Sequence, residues 1–195
     1  MPKKVWYAPN KFESYGEEEI KAVEECLRDG WLAGFGDRTI KFEERVSELF
    51  GKKQGLFVNS GSSAILLGLC ALDLPKGSEV VTPACGFATT VAPLMQLGLK
   101  PVFCDVGLDS YVPTVDDLKK VVTPETKCLL LPNLIGNVPD WKAIREAFPD
   151  LILFEDSADT ITKIPCTDIS TTSFYASHVI TAGGCGGMVM FNDDE

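Results

Sequence analysis

Four short stretches of the sequence carry residues whose types and spacing could do chemistry. Asn59-Ser60-Gly61-Ser62-Ser63 falls between an apolar run and a segment of helical spacing. Its backbone N–H groups, small hydroxyls and the positive end of the following helix dipole make a ready anion site, although the same turn also serves as the cap of an ordinary helix. Glu155-Asp156 closes the apolar run 151–154, at the strand edge where open α/β sheets place their ligands. A carboxylate there is either a helix cap or a functional group. His178, the single histidine, follows residues 173–177 and precedes a run containing Gly183, Gly184, Gly186 and Gly187. A lone histidine is more often structural than catalytic, but a second strand end shifts that balance, and glycines let backbone approach a ligand closely. Phe87, in the loop after the strand ending VVTPA, either covers a planar ring by offset stacking or caps the core. Together these residues ask for a planar, phosphate-bearing, protonatable cofactor.

Regular elements must bring them together. Apolar spacing predicts helices over 15–29 and 39–50, with the glycine-rich 30–38 as a loop between them. A strand over 56–58 leads through the serine-glycine turn into a buried helix over 62–72. The chain then alternates: strand 79–82, helix 89–97, strand 100–106, helix 115–121, strand 127–133, helix 139–148 and strand 151–156. Two further strands, 171–177 and 186–192, close the pattern. These βαβ units predict a mostly parallel, doubly wound α/β sheet covered on both faces. The absence of a Pro- or Ser-rich linker predicts one domain over residues 1–195, ending directly after a strand.

Composition narrows the partners. With 195 residues and 45% hydrophobic side chains the chain can bury a sizeable core. Its 18 basic against 28 acidic residues, a net charge of −10, oppose a nucleic-acid or anionic-membrane surface, since both need basic faces. No run reaches the roughly 18 apolar residues of a spanning helix, and the start lacks the apolar stretch of a signal peptide, so the expected location is the cytoplasm. The seven cysteines are scattered without a C-x-x-C pair, which predicts reduced, mostly buried thiols and no metal site.

On these motifs the chain resembles the DegT-type (DegT/DnrJ/StrS) family of sugar aminotransferases and sugar dehydratases, pyridoxal-phosphate proteins of the aspartate-aminotransferase fold. The resemblance rests on GWLAGFGDRTIKFEE (30–44), VNSGSSA (58–64), GSEVVTPACGFATTVAP (77–93) with KPVFCDV (100–106), FEDSAD (154–159) and SFYASH (173–178) before the glycine run, in family order. It implies that Gly61, Ser62 and Ser63 hold the cofactor phosphate with help from Ser173. It also implies that Phe87 stacks on the pyridine ring and that Asp156 pairs with the protonated ring nitrogen and stays ionised. Family members are about twice this length, so the resemblance implies a large cofactor-binding domain without the small C-terminal domain. It implies a homodimer too, with sites completed across the interface.

The informative departure is at residue 178. In the family's aminotransferases the serine-phenylalanine-tyrosine strand leads to the lysine that forms a Schiff base with the cofactor, whereas this sequence places His178 there. Imidazole cannot make that bond. The family's nucleotide-sugar 3-dehydratases carry histidine at this point, use pyridoxamine phosphate, and employ the histidine as the base that allows the 3-hydroxyl to leave. Asp159 agrees, standing where the dehydratases carry an acidic residue near the cofactor and the aminotransferases carry Gln or His. The resemblance thus implies a dehydratase-like protein acting on a nucleotide-linked 4-keto-6-deoxy sugar, in the making of deoxysugars or surface polysaccharides. The alternatives are a sugar aminotransferase or a non-catalytic homologue. Ser157 and Ala158 replace a cysteine that ligates an iron–sulfur cluster in one such relative, so no iron–sulfur centre is expected.

Overall fold

Strands buried on both faces need near-continuous apolar runs, and residues 80–81, 128–131 and 153–154 supply them. A computed structural model describes residues 15–31 and 33–192. The first fourteen residues, on which the targeting expectation drew, and the last three lie outside them. The strands are β1 (Gln54–Val58), β2 (Glu79–Pro83), β3 (Lys100–Cys104), β4 (Thr126–Pro132), β5 (Ile152–Ser157), β6 (Ile169–Ser173) and β7 (Gly187–Phe191). They form one seven-stranded sheet in the order β1-β7-β6-β5-β4-β2-β3. Among the described strands only β7 runs antiparallel to its neighbours, β1 and β6.

Helices cover both faces. They are α1 (Glu17–Asp29), α2 (Asp37–Phe50), α3 (Gly61–Ala71), α4 (Ala88–Gln96), α5 (Val115–Lys119) and α6 (Trp141–Ala147). Alternation along the strands divides the core. Val80, Leu130, Phe154 and Val189 pack with Ile65 and Leu69 of α3 and Leu94 of α4. Val81, Leu129, Leu131 and Leu153 pack with Leu118 of α5 and Trp141 and Ile144 of α6. A third group joins Val46 and Phe50 of α2 to Phe174, Met188 and Met190. Each such side chain contributes roughly 1.5–3 kcal/mol on burial. A one-residue slip of β5 would exchange Phe154 for Leu153 and turn Asp156 toward the wrong helix layer, so the core sets the register of the site.

The direction of β7 matters most for function. Because it returns antiparallel to β6, residues 174–186 leave and re-enter the sheet at the same edge, where the parallel strands end. Gly187 pairs with both Ser173 and Val58 there. The connection carrying His178 is therefore held above the carboxyl ends of β5 and β6.

Several expectations need correction. Helix α2 begins at Asp37, two residues early, because Gly36 caps it in an extended conformation and Asp37 places a carboxylate in the positive first turn. The strand expected over 171–177 spans Ile169–Ser173. Beyond Ser173 the chain turns so that the Phe174 ring packs 5.0 Å from Phe42, leaving only an isolated bridge between Tyr175 and Gly184. His178 thus stands in a loop, five residues past the strand. All seven thiols are free, but only Cys104 and Cys128 are buried, while Cys70, Cys85 and Cys185 are exposed. The exposed three lie on helix or loop positions turned away from the core. Among the described residues no helix is long and apolar enough to cross a membrane.

Candidate functional site

The serine-glycine turn joins β1 to α3. Ser60 is the cap, its hydroxyl accepting from Ser63 N at 3.1 Å and donating to Ser63 Oγ at 3.0 Å. This leaves Gly61 and Ser62 at the open, electropositive end of an eleven-residue helix. The turn is pressed against the sheet by two glycines. A Cβ on Gly61 would lie 2.8 Å from Ser173 Cβ, and one on Gly187 would lie 2.3 Å from the carbonyl carbon of Ser60 and 2.4 Å from Gly61 N. The Gly61–Ser173 approach brings Ser173, 8% exposed, beside the turn. Gly187→Ala is expected to push the turn off β7 at a cost of about 2 kcal/mol, a fall in melting temperature of roughly 4–8 °C. A thermal melt showing no change would remove this steric argument.

Glu155 and Asp156 point to opposite faces of β5 and have separate fates. Glu155, fully buried, is neither a cap nor open to a ligand. Asn133 Nδ2 donates to its Oε1 at 2.8 Å, as does Ser157 Oγ at 2.5 Å, while Ser170 Oγ and Thr167 Oγ1 donate to its Oε2 at 2.6 and 3.1 Å. Lys52 joins this network through Thr167 Oγ1 at 2.7 Å and Ile164 O at 3.0 Å. Burial pulls its ammonium down to about 8, with Glu155 pulling the other way.

Asp156 faces α4 instead. Its Oδ2 accepts from Thr90 Oγ1 at 2.8 Å, and burial pushes its carboxyl up to about 6, against the pull of the Thr90 bond and with Asp159 adding to the rise. Thr90 N in turn donates to Phe87 O at 3.0 Å, so Phe87 sits one helical turn away. The Phe87 ring is 69% exposed, which excludes core capping and leaves its face available.

The loop after β6 ties itself together. Phe174 N donates to Gly186 O, Ala176 N to Gly184 O and His178 N to Tyr175 O, at 2.9, 3.2 and 3.0 Å. His178 Nε2 lies 3.9 Å from Asp159 Oδ1, and Asp159 Oδ2 accepts from Ile135 N at 3.1 Å. The Nδ1 atom of His178 is buried without a hydrogen-bond partner.

Three small groups therefore share one edge of the sheet: Gly61, Ser62, Ser63 and Ser173; Phe87 and Asp156; Asp159 and His178. They fit a pyridoxal-type cofactor on physical grounds. A buried carboxylate with a raised pKa wants a cation, such as a protonated pyridine nitrogen, and an open helix end wants an anion. Sequence reasoning missed Thr90, whose spacing of three from Phe87 on a helix was the available signal. It gave no individual role to Asn133 or Ile135, which lie in the segment 133–141.

The fold is that of solved aminotransferase-type structures. The Escherichia coli GDP-4-keto-6-deoxy-D-mannose 3-dehydratase with bound hydrated PLP superposes with a TM-score of 0.88 at 30% identity, covering 98% of this chain and 52% of that one. Residues 13–195 match the DegT/DnrJ/EryC1/StrS aminotransferase family, and the chain belongs to it. Among curated relatives, dTDP-4-dehydro-2,6-dideoxy-D-glucose 3-dehydratase of Saccharopolyspora spinosa is 38% identical over 188 residues, 87% of this chain and 40% of the relative. The dTDP-4-dehydro-2,3,6-trideoxy-D-glucose 4-aminotransferase of the same organism is 35% identical over 191 residues, 92% and 49%. The chain spans less than half the length of these two relatives.

Proposed function

We propose that this chain forms the cofactor-binding part of a pyridoxamine-phosphate-dependent 3-dehydratase acting on a nucleotide-linked 4-keto-6-deoxy sugar. The observation that carries the reading is His178, with Asp159 beside it, at the position where the family's aminotransferases need an amine. Gly61, Ser62, Ser63 and Ser173 hold the phosphate, Phe87 covers one ring face, and Asp156 keeps the ring nitrogen protonated. When bound, the pyridine ring supplies an electron sink. His178 accepts a proton at the reacting carbon, a role suited to imidazole near neutral pH.

The same reading makes the protein cytoplasmic and homodimeric and gives it no iron–sulfur centre. Helix α1, which buries no residue and exposes Ile20, Val23 and Leu27, supports association with a second subunit. A second reading, a sugar aminotransferase, draws on the 35% identical relative but requires a lysine to replace the missing amine.

Pyridoxal phosphate and pyridoxamine phosphate, added separately and followed by borohydride, distinguish the two. Reversible binding with unchanged intact mass is the expected result. A single trapped lysine adduct would return the protein to the aminotransferases, and binding of neither cofactor would favour a non-catalytic homologue.

A further inference from the structure

His178 is the chain's single imidazole, and its two nitrogens have different surroundings. Nδ1 is buried without a partner, whereas Nε2 lies 3.9 Å from a carboxylate oxygen of Asp159. A neutral imidazole carries one N–H. Sealing that N–H away from every acceptor is costly, and directing it toward a carboxylate is favourable.

The carboxylate is itself held in place. Ile135 N grips Asp159 Oδ2 at 3.1 Å, leaving Oδ1 for the imidazole. Ile135 adopts φ 54° and ψ 33°, a left-handed conformation that is an outlier for a β-branched residue, in a turn that it shares with Gly136 (φ 83°) and that Asn137 N closes on Leu134 O at 3.0 Å; its side chain is 72% exposed. Neither feature serves the core. Strain of this kind persists only where the surroundings over-determine it. Here the turn's own closing bond is joined by Asn133, 1% exposed, which donates to Glu155 Oε1 at 2.8 Å and Ser157 Oγ at 2.5 Å, and accepts from Trp141 Nε1 at 3.0 Å and Thr160 Oγ1 at 3.2 Å. The buried network on the back of β5 thus anchors a turn whose amide reaches the front.

We propose that Asp159, pinned by the Ile135 amide, is a positioning residue that fixes the tautomer of His178 with its proton on Nε2. This moves Asp159 from cofactor contact to control of the base, and its catalytic consequence rests on the reading of His178 as that base. When the imidazole is charged, the Asp159 carboxylate 3.9 Å from Nε2 offsets that charge. The Tyr175 ring meets the imidazole edge-on, with centroids 5.9 Å apart.

A single histidine makes the test direct. The chain, produced without a histidine tag and labelled with nitrogen-15 in its imidazole, is examined by long-range proton–nitrogen correlation at alkaline pH, without cofactor. The Nε2–H form is expected to predominate. In Asp159→Asn the carboxamide oxygen keeps the Ile135 N–H and its NH2 turns to His178, so the Nδ1–H form is expected to predominate, with the backbone amide spectrum otherwise retained. Asp159→Ala, which keeps neither contact, is expected to bring the ratio to that of the urea-unfolded chain. A wild-type preference for Nδ1–H, or a ratio unmoved in both variants, would overturn the proposal. Because no turnover is involved, an inverted ratio alongside a catalytically indifferent His178 would sink the dehydratase reading while leaving the positioning role intact.

Discussion

Asp156→Asn is expected to stabilise the unliganded chain while destroying its hold on the cofactor. Burial pushes the Asp156 carboxyl up to about 6 from a reference of 3.8. A folded-state pKa above the unfolded value means that the native state binds the proton more tightly. The stabilisation from protonation is therefore fully present below about pH 4 and is lost as pH rises through about 6. At pH 7 the ionised group costs up to about 3 kcal/mol. Asparagine removes the charge yet still accepts the 2.8 Å bond from Thr90. Melting temperature should rise by roughly 5–10 °C at pH 7, with the gain disappearing near pH 4. Cofactor affinity should fall on the order of a hundredfold or more, because a buried charge loses its partner. Calorimetry across this pH window, with a cofactor titration, checks both effects. A variant that melts lower at neutral pH, or binds cofactor as tightly, would remove Asp156 from the role assigned to it.

His178→Ala is expected to separate chemistry from binding. Its backbone is tied by Tyr175 O, and the loop is closed by Phe174 and Ala176 bonds to Gly186 and Gly184, so the side chain can be removed without opening the loop. The cofactor contacts proposed for Ser62, Ser63, Ser173 and Asp156 all lie on other elements. Loss of 3-hydroxyl from a nucleotide-linked 4-keto sugar should then fall by about 10²–10⁴, the usual worth of a positioned general base, with cofactor affinity changed only a few fold. A parallel loss of binding would mean that His178 builds the pocket, and unchanged turnover would exclude it as the base.

Features that depend on neighbouring residues were legible from the chain alone. Apolar runs and helical spacing located the strands and helices. The serine-glycine turn announced itself by falling between two such segments, and a histidine in place of lysine needed only position to be noticed. Thr90 was half legible, since its spacing of three from Phe87 is a helical one.

What depends on partners distant in sequence was decided by the tertiary structure. The residue pattern of β7 suits either direction, and only its pairing with β1 and β6 returns the His178 loop to the ligand edge. Glu155 and Asp156 are adjacent carboxylates, and alternation guarantees that they face opposite sides, but only the tertiary packing decides that Asp156 meets Thr90 of α4 and Glu155 the Asn133 network. Gly136 is a local signal for a turn here, but the residue type of Ile135 does not mark it for the left-handed region. The contacts that fix this turn in place run from Asn133 to β5 and α6 and from Ile135 to Asp159, so the alignment of Asp159 toward His178 exists only once the sheet has assembled.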